Sequence, residues 1–180
     1  MKYTLILIGI LFTVVFCSAQ PTFSKKEYQE KYERNIKKER LYGVYIPKDM
    51  EDAFVELSAL ARAQDLEKFK AAPEDTIAVR LHFGLGRWIA HNWNFSEGSR
   101  FSHQLKLKGL TFPDDMVETV IRSFHRKLNN KEIKLEEQIA ILIEKREKEH
   151  EERMKKAKVE TLSKRKLDST EIEELKKQKE

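Results

Sequence analysis

The chain of 180 residues holds a single cysteine, and that shortage excludes something. Cys17 falls inside the apolar amino-terminal stretch, so a mature product cut after residue 19 carries no thiol. Neither a disulfide framework nor a cysteine nucleophile is then available, and stability has to come from packing. An excess of one charge is also missing. The 35 basic and 30 acidic residues are interleaved, as in Glu144-Lys145-Arg146-Glu147-Lys148-Glu149, so the net +5 gathers into no basic face and nucleic acid is not an expected partner. A modest preference for anionic surfaces is what remains of that idea.

Long hydrophobic runs are lacking too. The run from Leu5 to Phe16 is shorter than the roughly 20 residues a membrane span requires. It follows Lys2 and precedes Cys17-Ser18-Ala19-Gln20, the charged, apolar, small order of a signal peptide, with cleavage expected after Ala19. Lipidation at Cys17 is the weaker alternative, because Phe16 stands where a small residue is wanted. The expected organisation is a signal peptide over 1–19, a charged helix and linker over 20–44, an all-α domain over 45–143 and a charged helical tail over 144–180. The product is expected to be exported, periplasmic or secreted, with no transmembrane span after cleavage.

Apolar spacing throughout the middle of the chain is helical. Ser24 and Glu27 have capping-box spacing ahead of Tyr28, Tyr32 and Ile36, and Leu41-Tyr42-Gly43 ends that helix. Pro47-Lys48-Asp49, Pro73-Glu74-Asp75 and Pro113-Asp114-Asp115 each open an apolar-periodic segment. The first carries Phe54 and Leu57, with a short second piece holding Leu66 and Phe69. The next carries Ile77, Leu81, Leu85 and Trp88, and the third Val117, Val120, Ile121 and Phe124. A loop over 94–99 leads to a short helix near 100–108 that stops at Gly109, and no strand is expected. After Asn129-Asn130 a final helix starts near Lys131 and buries Ile133, Leu135, Ile139, Leu142 and Ile143. Beyond it, acidic-before-basic pairs four apart favour a solvated single helix, and Asp168-Ser169-Thr170 can cap one last short helix. The fold class is therefore all-α: a small multi-helix domain with a long charged C-terminal helix extending from it.

No constellation identifies a reaction. Four domain histidines (82, 91, 103 and 125) include no His-Glu-x-x-His pair, so no metal and no cofactor is expected. Gly84 and Gly86 inside a helical pattern point to close helix packing. Trp88 is expected in the core, while Trp93 sits at a helix end, where plain packing is preferred and lining a pocket mouth with Phe95 is the alternative. The best polar cluster takes Arg87, Arg100, Asp114, Asp115, His125 and Arg126, with Arg87 or Arg100 reaching the Asp114-Asp115 turn as a bidentate ion pair. Together with His91 and Trp93 these form the candidate binding set; no catalytic residue is assigned.

The segments Tyr45-Ile46-Pro47-Lys48-Asp49, His82-Phe83-Gly84-Leu85-Gly86-Arg87-Trp88-Ile89, Asn92-Trp93, Ser99-Arg100, Pro113-Asp114-Asp115-Met116 and His125-Arg126 together resemble an uncharacterised bacterial domain-of-unknown-function family. Its pattern reads YIPKDL, HFGLGxWIRNNW, SRL, HPDDMS and HRYLNGK, and the resemblance spans Tyr45 to Glu137. Here Ala90-His91 replaces Arg-Asn, and Phe112 replaces the first His of HPDDMS. That resemblance implies no activity or ligand. The expected function is a non-enzymatic binding or interaction module of the cell envelope with a protein or envelope component as partner. The alternative is a small-ligand or hydrolytic site around His125 and Asp114 or Asp115.

Overall fold

The computed structural model describes residues 24–177, with side chains described as far as Thr161. The signal-peptide reading, with Cys17 and the cleavage point, lies outside these residues. Helix α1 (Lys25–Asn35) opens with the expected capping box, the Ser24 side chain accepting from the Glu27 amide and Glu27 from the Ser24 amide. Its tyrosines tie it to the domain, Tyr28 from an exposed and Tyr32 from a half-buried position. The Tyr28 hydroxyl donates to the Ser96 carbonyl at 3.1 Å, and the Tyr32 hydroxyl meets His103 Nδ1 at 2.9 Å.

A hairpin follows where no strand was expected. Strands β1 (Arg40–Leu41) and β2 (Val44–Tyr45) pair antiparallel, Arg40 opposite Tyr45 and Leu41 opposite Val44. Tyr42 and Gly43 join them at φ 51° and 84°, as a tight two-residue turn demands. Two residues per strand are too few for an alternating pattern to register in a sequence.

Helix α2 (Met50–Leu60) is capped by Asp49, which accepts from the Asp52 amide. Helix α3 (Ala63–Ala71) is short, and α4 (Glu74–Leu81) starts at Pro73. The stripe from Ile77 to Trp88 is then interrupted by a π-helical turn, His82–Gly86, in which the Arg87 amide reaches back to the His82 carbonyl, before α5 (Arg87–Asn92) resumes α geometry. Helix α6 (Arg100–Leu107) is capped by Ser99, and α7 (Pro113–Leu128) begins with proline in its first turn. Helix α8 (Leu135–Lys177) starts later than Lys131, because Asn130 and Lys134 at φ 53° and 50° turn the chain first. It continues unbroken through residues 168–170, where a separate short helix was expected.

The mostly helical fold centres on α7, whose Met116, Val117, Val120, Ile121 and Phe124 are all buried. It packs against α2, α3, α4, the π turn, α5, α6 and α8. Phe124 stacks on Phe54 at 5.9 Å and tilts against Phe69 at 5.3 Å. A Cβ on Gly86 would stand 2.9 Å from Val117 Cγ1, so that glycine lets the π turn seat on α7. Gly84 has nothing within 4 Å of a Cβ, which corrects the packing role expected of it. Trp93 is fully buried among Phe95 and Phe101 and so rims no pocket, and Trp88, expected in the core, is half-buried and packs edge-on against Trp93. Trp93 is buried because the chain turns back at residues 93–98 and closes the loop over it, with Asn94 at φ 52°.

Candidate functional site

The structure disperses the polar cluster expected from the sequence. Asp115, in the first turn of α7, takes a bidentate ion pair from the tail instead of from Arg87 or Arg100: Arg146 Nε and Nη2 donate to its two oxygens, each at 2.8 Å. The same guanidinium lies 4.5 Å over the Phe112 ring. Arg146 was missed, although it continues the 139, 142, 143 spacing of the buried face. Arg87, His91 and Asp114 are exposed. Arg100 Nε donates to the Ile46 carbonyl at 2.7 Å and its guanidinium covers Tyr45 at 5.0 Å, so it braces the hairpin.

His125 lies ten residues beyond Asp115 on one helix, about 15 Å along the axis, so the two cannot share a small ligand. Its ring is buried at 2% exposure; Nε2 donates to the Ala72 carbonyl at 2.9 Å, and Phe69 meets it edge-on. Arg126 pairs with Glu74 and donates to the Glu132 carbonyl. Lys131 bonds the other Glu74 oxygen at 2.9 Å. That Lys131 bond, against an opposing push from burial and with help from Arg126, holds the Glu74 carboxyl below the usual carboxylate range. These contacts tie the Pro73 corner to the end of α7. Among the described residues no three His, Cys, Asp or Glu side chains gather as a metal centre requires.

What the fold does form is an apolar cleft between α2, α3 and α4, floored by α7. Its volume is about 680 Å³, within the usual range of small-molecule sites. Leu57, Phe69, Ile77 and Phe124, all buried, make the floor, and Leu66, Leu81 and Leu85, half-buried, make the walls. The cleft exists because α3 is only nine residues long and brings two large apolar side chains, too few to cover the stripe of α4 and the face of α7 beside it. The backbone offers little polarity to the lining: the Ala72 carbonyl is taken by His125, the Ala72 amide bonds the Phe69 carbonyl, and Pro73 has no amide hydrogen. Charge enters at Asp65, Lys68 and Arg80. The lining residues read as ordinary core stripes in the sequence. The signal that they are under-covered was the shortness of the Leu66–Phe69 segment.

Residues 46–128 match the model of the domain of unknown function DUF6794. The resemblance read from the motifs is thereby shown. The DUF6794 stretch runs from the second strand's exit through α7 and contains every residue lining the cleft. Helix α1 and the tail residue Arg146 fall outside it. No curated protein and no solved structure matches the chain.

Proposed function

We propose that the chain is an exported, non-enzymatic binding module of the cell envelope that takes an apolar ligand into the cleft between α2, α3 and α4. The observation that carries this is the lining: a cavity of about 680 Å³ whose floor is made of four core side chains and whose walls are leucines. Apolar surface left uncovered at this scale gains by excluding water, at about 25 cal/mol per Å² buried. Export is supported by the order of Lys2, the apolar run from Leu5 to Phe16, and the small residues before Gln20.

The test is a titration of the mature chain, beginning at Gln20, with the neutral apolar dye N-phenyl-1-naphthylamine. A saturable, blue-shifted rise in dye fluorescence is expected. Ala61→Trp, placed at a half-buried lining position where the backbone is extended, fills the cleft and weakens binding about tenfold. An absent or non-saturable signal, or equal binding to Ala61→Trp with its helicity intact, overturns the reading.

A further inference from the structure

Resting on the cleft as the binding site, we infer that its ligand is a single-chain anionic amphiphile: an alkyl tail in the apolar floor and a carboxylate at the mouth, held by Lys68 and Arg80. The buried and the exposed parts of the lining differ in chemistry. Along the floor and walls no side chain can donate a hydrogen bond, and the Ala72 carbonyl is already satisfied by His125. A polar ligand group placed there would lose its hydration without a partner, at a cost of about 1–3 kcal/mol. The ligand's polar end therefore belongs at the mouth.

The mouth carries three charged side chains, and they are not equivalent. Asp65 is neutralised by Arg62, whose Nε donates to it at 2.8 Å. Lys68, on α3, and Arg80, on α4, are exposed, and their side chains make no hydrogen bond or ion pair with another described residue. Elsewhere in the domain the arginines at 40, 62, 100, 122, 126 and 146 are each engaged by a carboxylate or carbonyl, while Arg87, away from the cleft lining, is exposed without such a bond among the described residues. The cleft mouth thus retains two uncompensated cations from different helices beside apolar walls. A cationic head would be repelled, a neutral head would gain nothing from them, and a carboxylate can take a forked pair from the guanidinium and a point contact from the ammonium. Because both cations are solvated, the expected effect is selectivity more than affinity.

Displacement of the bound dye by three compounds with the same chain, each below its micelle concentration, tests this. Dodecanoate is expected to displace it about five- to tenfold more tightly than dodecanol, and dodecyltrimethylammonium more weakly than either. The preference should shrink as salt is raised. In the double variant Lys68→Gln, Arg80→Gln, whose exposed positions leave the fold intact by circular dichroism, dodecanoate falls to the level of dodecanol, the readout being the ratio of acid to alcohol and not the affinity of either alone. Equal displacement by acid and alcohol, or a preference that survives the double variant, overturns the inference and leaves the cleft standing as an apolar site. Displacement by an amphipathic helical peptide but by none of the alkyl compounds overturns it in favour of a protein partner. If the dye itself fails to bind, the cleft reading falls and this inference falls with it.

Discussion

Gly84 and Gly86 stand two residues apart in one π turn, in the same sequence motif, and the space around them gives them opposite significance. Around Gly84 a Cβ meets nothing within 4 Å, and the residue is exposed. Around Gly86 it would press on Val117 Cγ1 at 2.9 Å and the Leu81 carbonyl at 3.4 Å, and valine, held to one rotamer in a helix, yields poorly. Gly84→Ala should therefore stabilise the chain by about 0.5–1 kcal/mol through the smaller entropy lost on folding, while Gly86→Ala destabilises it by about 1–3 kcal/mol through overpacking. Urea unfolding of both variants beside the parent checks this. Loss of stability in Gly84→Ala comparable with that in Gly86→Ala would mean that the turn needs glycine for its backbone path and not for its neighbours. A sequence shows that a glycine interrupts a helical stripe; which of two glycines faces another helix depends on how the turn winds, and here the extra residue of the π turn rotates that choice.

At the scale of elements, what the sequence made legible was what local chemistry dictates. The Ser24–Glu27 box and the Asp49 cap mark helix starts through hydrogen bonds within a few residues, Pro73 and Pro113 mark them through proline's fixed φ and the acidic first turns, and Gly109 marks a stop through its positive φ, so the residues alone identify them. The hairpin at 40–45 has strands too short to alternate, and the docking of α1 rests on contacts across the chain, so neither leaves a periodic trace. Helix α1 is held by Tyr28, by Tyr32 and by the Lys31–Glu97 ion pair at 2.7 Å. Glu97 is held below the usual carboxylate range by its bond from Lys31, with burial opposing and the Tyr42 hydroxyl helping. A carboxyl whose folded pKa is depressed contributes stability that is present at neutral pH, begins to fade as pH falls below about 4.3, and is gone once the folded-state value is passed. Hydrogen exchange over Lys25–Asn35, corrected for its intrinsic pH dependence, should therefore accelerate below about pH 4 before that of α7 does. In Glu97→Gln the acceleration should already be present at pH 7, with a smaller further change on acidification. Identical exchange in parent and variant at pH 7 would show that the tyrosines alone seat α1.

The described residues form a packed helical body with a 43-residue helix leaving it, about 64 Å long at 1.5 Å per residue. As far as Thr161, its attachment is confined to its beginning. Ile139 and Leu142 are buried against the body, Arg146 grips Asp115, and from Glu151 to Thr161 every side chain is exposed. The pairs Lys148–Glu144 at 2.6 Å and Lys155–Glu151 at 3.8 Å stiffen the helix in water and add little to the stability of the body. Chains ended at successive points should therefore lose stability in steps and not in proportion to length. A chain ending after Arg153 should unfold at the same urea midpoint as the full chain. One ending after Glu144 lacks Arg146 and strands the Asp115 carboxylate, 6% exposed, without its partner, at a cost of about 1–3 kcal/mol. Asp115→Asn in that shorter chain should recover part of the loss, since an amide is cheaper to leave buried than a carboxylate. One ending after Lys134 also uncovers the seats of Ile139 and Leu142, roughly 1.5–3 kcal/mol for each side chain. A uniform decline across all three chains, or a midpoint already lowered in the chain ending after Arg153, would mean that the exposed part of the helix folds back on the body and contributes to its stability.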